Sequence, residues 1–81
     1  MMTFLRLIYI SDGYVTYEYG KSKDSLIGTV SMSISDNKDC KFVYYEKSEI
    51  KQFCSHTSHA LIMINKFIKT NDFPKEYTFA C

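Results

Sequence analysis

Only one long stretch of this chain, Ser48 to Thr70, carries a helical period, and it constrains the fold more than any other feature. Ile50, Phe53, Thr57, Ala60, Leu61, Ile64, Phe67 and Ile68 recur at three- and four-residue steps and form one apolar stripe. Lys51, Gln52, Ser55, Ser58, Asn65, Lys66 and Lys69 fall mostly off that stripe. Ser48 suits an N-cap, because its hydroxyl can accept from an unpaired N–H of the first turn, and Glu49 follows at the positive end of the helix dipole. Lys66 and Lys69 lie in the last turns, Asn71-Asp72 is a stop, and Pro74 forbids continuation. A helix with a single apolar stripe needs an apolar surface to cover. Everything before Ser48 reads as strand and turn.

Thr3 to Ile10 is β-branched and aromatic, and apolar on both faces except at Arg6, which suits a strand inside a sheet. Ser11-Asp12-Gly13 supplies the side-chain bond and positive φ of a tight hairpin. In the return strand, Tyr14 to Tyr19, Val15, Tyr17 and Tyr19 share one face and Tyr14, Thr16 and Glu18 the other. Gly20 to Ser25 reads as a polar loop. Leu26 to Ser35 alternates cleanly, with Leu26, Gly28, Val30, Met32 and Ile34 on one side; Gly28 marks a bulge or a close backbone approach. Asp36 to Asp39 is a second hairpin turn, Cys40 to Tyr45 a fourth strand, and Phe73 to Cys81 a tail whose Phe73, Tyr77 and Phe79 can pack back on the core. The expected fold is α+β: a four-stranded antiparallel meander followed by one long C-terminal helix packed on one sheet face.

Eighty-one residues make one domain, and one of this size buries only about 60–65% of its unfolded surface. Ten basic against nine acidic residues leave a net charge of +1, which excludes a binder driven by phosphate neutralisation and also an acidic mimic of DNA. Arg6 is the one arginine, so bidentate recognition of phosphate or carboxylate is poorly served. Three cysteines, Cys40, Cys54 and Cys81, are an odd set and read as reduced thiols. No apolar run approaches the ~18–20 residues of a membrane span. Met1 to Ile10 lacks a basic n-region and a small-residue cleavage site, so the expected location is cytoplasmic.

Cys54-x-His56-x-x-His59 is the only cluster of metal-ligand residue types. On a helix His56 and His59 face one way and Cys54 does not share their side, so a site needs Cys40, Cys81 or an acid as a further ligand, and the spacing fits no standard closed site. The plainer reading is a solvated His56, a His59 at the edge of the stripe and a packed Cys54. Cys54 with His59 is also the only pair for nucleophilic catalysis, and nothing marks a site that stabilises a thiolate. The three glycines cannot assemble a phosphate loop. No enzyme activity, cofactor, nucleic acid or membrane partner is expected.

Seven tyrosines exceed what so small a core holds. Tyrosine is a good strand former and cross-strand partner, and it is enriched at protein interfaces. Tyr14, Tyr17, Tyr19, Tyr44 and Tyr45 lie on strands expected to be neighbours and are the candidate partner-binding residues.

His59-Ala60, Ile64-Asn65-Lys66-Phe67-Ile68, Asn71-Asp72-Phe73-Pro74-Lys75-Glu76 and Thr78-Phe79-Ala80 together resemble a group of short uncharacterised proteins of low-GC Gram-positive bacteria. Members have two N-terminal hairpins, a helix with a His-Ala pair, an Asp-Phe-Pro-x-Glu turn and an Ala-aromatic-aromatic end, where this chain has Ala80-Cys81. The resemblance covers the last quarter closely and the hairpins in plan. It implies the same fold and a bacterial or phage origin, and it carries no mechanism. The expected function is a small non-catalytic protein-interaction module. Its sharper form is a phage- or mobile-element-encoded inhibitor of a larger bacterial complex, of the anti-CRISPR or another anti-defence type. The alternatives are a small ligand- or metal-binding domain around Cys54, His56 and His59, and an obligate homodimer with a structural or regulatory role.

Overall fold

Asp12 and Gly13 sit at φ 55° and 80°, the paired left-handed residues of a two-residue hairpin that matches strand twist. They join β1 (Met2–Ser11) to β2 (Tyr14–Ser22). In the computed structural model, which describes residues 1–80, β3 (Ser25–Ser33), β4 (Cys40–Tyr44), α1 (Ser55–Thr70) and β5 (Glu76–Ala80) follow. The fold is α+β, an antiparallel sheet in the order β4-β3-β2-β1-β5 with α1 packed on one face. The meander and the covering helix are therefore as the sequence indicates. The fifth strand is not: the tail continues the sheet, pairing Leu5 with Tyr77 and Thr3 with Phe79. β5 makes the first half of β1, residues 2–6, an inner segment of the sheet, whereas Ile8, Tyr9 and Ile10 beyond it stay exposed.

The polar loop expected at Gly20 to Ser25 shrinks to a turn at Lys23-Asp24, because the strands pair out to Ser22 and Ser25. Gly28 marks a close approach: a Cβ there would overlap the Val43 carbonyl oxygen of β4. The helix also begins later than its stripe. Ser48 caps nothing; its hydroxyl donates to the Ile50 carbonyl at 2.8 Å and accepts from the Ile50 N–H at 3.1 Å, holding a turn. The chain needs residues 46–53 to climb from edge strand β4 onto the sheet face, and Cys54 becomes the N-cap. Its N–H donates to Thr57 Oγ1 at 3.2 Å, which reproduces half of a capping box. At the other end Asn71 takes φ 52° and the Asp72 N–H reaches back to the Phe67 carbonyl at 3.1 Å, a Schellman-type close.

Leu5, Val15, Tyr17, Tyr19, Val30 and Met32 from the sheet meet Ala60, Met63, Ile64 and Phe67 from the helix. Each large side chain buried here contributes roughly 1.5–3 kcal/mol. Both core tyrosines satisfy their hydroxyls: Tyr17 donates to the Pro74 carbonyl at 2.6 Å, and Tyr19 bonds Thr57 Oγ1 at 2.8 Å. Thr57 thus ties the first helical turn to the centre of β2. No helix among the described residues is long and apolar enough to cross a membrane.

Candidate functional site: the uncovered face of the sheet

Strand alternation divides the sheet into two faces, and α1 covers only one. On the other, one register row crosses all five strands: Glu76, Arg6, Glu18, Thr29 and Val43. A second row holds Tyr9, Thr16, Ser31 and Lys41. Glu18 is the hub. Arg6 Nε donates to its Oε2 at 2.5 Å, and the Tyr45 hydroxyl donates to its Oε1 at 2.8 Å. These partners leave Glu18 buried although it lies on the open side. The Tyr45 phenol is pushed up to about 12, first by burial and then by its bond to Glu18. The carboxylate beside Arg6 raises the guanidinium's pKa further. Thr16 and Ser31 share a hydroxyl bond at 2.7 Å, the Tyr14 hydroxyl donates to Asp39, and Lys41 Nζ stands 4.9 Å from the centre of the Tyr14 ring. The face has hydrogen-bonded polar groups at its centre. Exposed Tyr9, Lys41 and Val43 lie around them.

The five tyrosines singled out by sequence therefore separate. Tyr14 and Tyr45 are half-buried on the open face. Tyr17 and Tyr19 are fully buried beneath the helix, because they share the parity of Val15, and so offer no contact surface. Tyr44 shares the helix side with Cys40 and Phe42 and packs at the margin of the core. Tyr9, 56% exposed, belongs to the open face and was not among the five. The shift in register between Leu7 and Tyr9 moves it there, and nothing in Thr3 to Ile10 signals that shift.

The Cys-His cluster is a different kind of place. His56 is 7% exposed rather than solvated. Its Nδ1 lies 2.7 Å from Thr3 Oγ1, and His59 Nδ1 lies 2.9 Å from the same oxygen. Burial, then His59, Lys21 and the amino terminus, hold the His56 pKa below its ordinary value. The His59 ring rests on Phe79 at 4.5 Å between centroids. Cys54 Sγ lies 3.5 Å from Thr57 Oγ1 rather than beside the imidazoles. Cys40 donates to the Asn37 carbonyl at 3.2 Å, far along the sheet, and burial raises its pKa. Cys81 lies outside the described residues. Among the described residues no three His, Cys, Asp or Glu side chains converge as a metal-holding group. The arrangement locks β1 and β5 to the first helical turn.

A groove of about 900 Å³ opens between the Lys23-Asp24 turn and residues 45–50. Lys21, Lys23 and Lys47 alternate there with Asp24, Glu46 and Glu49, so its charge is mixed and selects no one ligand class. No family model matches this chain, and no curated protein or solved structure is significantly similar to it.

Proposed function

We propose that this protein is a non-catalytic interaction module that binds a larger protein through the uncovered face of its sheet. The observation that carries the reading is that face itself: a sheet of five strands with a helix on one side only. Its Tyr9, Tyr14 and Tyr45 combine large rigid contact area with polar tips, a pattern enriched where proteins meet. The polar centre is already internally paired through Arg6, Glu18 and Tyr45, so a partner meets an ordered surface and little ordering entropy is lost on docking. The near-neutral charge favours contact by shape and aromatic anchors over electrostatic steering. In its sharper form the module is a cytoplasmic inhibitor carried by a phage or mobile element against a bacterial defence complex, a reading that rests on chain size and on a surface suited to blocking rather than to chemistry.

The test is affinity capture from bacterial lysate with the wild type, with Tyr9→Lys on the open face, and with Ile62→Lys on the exposed side of the helix. A stoichiometric partner held by the wild type and by Ile62→Lys, and lost at least tenfold by Tyr9→Lys, supports the reading. Capture of nothing, or equal capture by Tyr9→Lys, overturns it.

A further inference from the structure

β4 forms one of the two edges of the sheet. The Ser33 N–H donates to the Asp39 carbonyl at 2.9 Å, and the Tyr45 N–H donates to the Ile27 carbonyl at 2.8 Å, which fixes the hydrogen-bonded pairs between β3 and β4. Antiparallel pairs alternate, so Lys41 and Val43 turn their main-chain groups to β3, and Cys40, Phe42 and Tyr44 turn theirs outward. No main-chain hydrogen bond from the described residues reaches the outward groups of Phe42 or Tyr44. Edges are commonly defended by charge, proline or a bulge. β5, the opposite edge, presents Glu76 and Thr78. β4 carries one charge, Lys41 on the open side, and beside it presents Phe42 on the helix side, 38% exposed, and Val43 on the open side, 59% exposed. Phe53 stands edge-on to Phe42 at 5.9 Å and extends this apolar rim.

We propose that a second copy of this chain covers the edge, with β4 pairing antiparallel to its counterpart about a two-fold axis at Phe42. In that register Phe42 faces Phe42 of the second copy, Cys40 faces Tyr44 and Lys41 faces Val43, following the order Cys-Lys-Phe-Val-Tyr. Every outward N–H and C=O from Cys40 to Tyr44 then finds a partner, and no lysine faces a lysine. One step beyond each end Asp39 comes opposite Tyr45, and the turn residues two positions out, Lys38 and Glu46, are of opposite charge, so the flanks set no like charges against each other. At the axis the two Phe42-Phe53 pairs meet. Phe42 is 38% and Phe53 56% exposed, so about half of the roughly 150–250 Å² each ring can bury is left to cover; with Val43 and the strand backbone the contact is on the order of 700 Å² in total, the size of a weak, concentration-dependent association. A second copy brings its own bare edge and apolar rim, so one contact removes both liabilities. The pairing leaves the open face of each copy uncovered and extends it across the joined sheets.

The test is light scattering of the full chain over a wide concentration range, together with amide exchange on the same samples. The expected mass is that of two 9.5 kDa chains, falling towards one on dilution. Phe42 and Tyr44 amides slow at high concentration, whereas the outward Thr78 amide of β5 stays fast. Phe42→Lys places like charges at the axis and gives a folded monomer; Thr78→Lys leaves the dimer intact. A single-chain mass at every concentration, protection at Thr78 rather than Phe42, or a dimer that survives Phe42→Lys overturns the proposal. Amide exchange in the wild type decides the matter even if that variant does not fold.

Discussion

Thr3 has one proton to give and two imidazoles to satisfy. Its hydroxyl donates to one Nδ1 and accepts from the other, so the two rings hold complementary tautomers while both are neutral. Protonating His56 adds a donor and a charge to a buried ring beside His59. The folded state therefore binds that proton less readily than the unfolded chain, whose histidine titrates near 6.5. The stabilisation is complete above 6.5 and is lost as pH falls from there through the lower folded value. Urea midpoints of the wild type are expected to drop across that window, and those of His56→Gln to drop less; equal slopes would refute the assignment. A second expectation concerns Tyr45. Burial leads the rise of its phenol to about 12 and the Glu18 carboxylate adds to it, so Glu18→Gln should lower the Tyr45 titration towards, but not to, the ordinary value near 10, read by NMR of the tyrosine ring carbon. An unchanged titration would mean that Glu18 has no part in it. At this scale the sequence was legible in parity and poor in partners. Val15, Tyr17 and Tyr19 were placed together correctly, yet only tertiary contact brings Thr3 to residues 53 and 56 positions away.

At the scale of elements, local signals succeeded where they were long or strongly typed. Asp12-Gly13 specified a turn that needs positive φ, and Asn71 with Pro74 two residues beyond Asp72 specified the end of the helix. The helix starts later than its apolar stripe because Ile50 and Phe53 extend the stripe while serving the loop: Ile50 packs on the core and Phe53 on Phe42. Periodicity records which side chains are buried or packed, not whether the chain between them is coiled. β5 escaped notice because five residues give too short an alternation to stand apart from a tail, although Tyr77 and Phe79 were correctly expected on the core. Gly28 tests the tight join of β3 to β4. Gly28→Ala drives a methyl into the Val43 carbonyl and is expected to cost about 1–3 kcal/mol, with the protection of the Lys41 and Val43 amides, which face β3, lost first. If the midpoint does not move, β4 is not held at that distance. At the other edge, truncation before Glu76 uncovers the main chain of β1 and the apolar pairs of Tyr77 and Phe79, and an aggregation-prone product is expected by light scattering.

For the whole molecule, the division of labour follows from one helix meeting five strands. A single helix covers one face, and the other must be polar, partnered or both; here it is polar at its centre and aromatic around it. Sequence patterning revealed the α+β class because strand and helix periods are segregated along the chain. It separated the tyrosines only in part, since Tyr14 and Tyr45 lie on the open face while Tyr17 and Tyr19 serve the core. The most direct measurement is oxidative footprinting, read by mass spectrometry, of the free protein and of the complex captured from bacterial lysate. Protection of Tyr9, Tyr14 and Tyr45 in the complex, with Ile62 on the helix still reactive, is the expected result. Protection confined to the helix side around Ile62, with Tyr9 as reactive as in the free protein, would contradict a docking role for the open face.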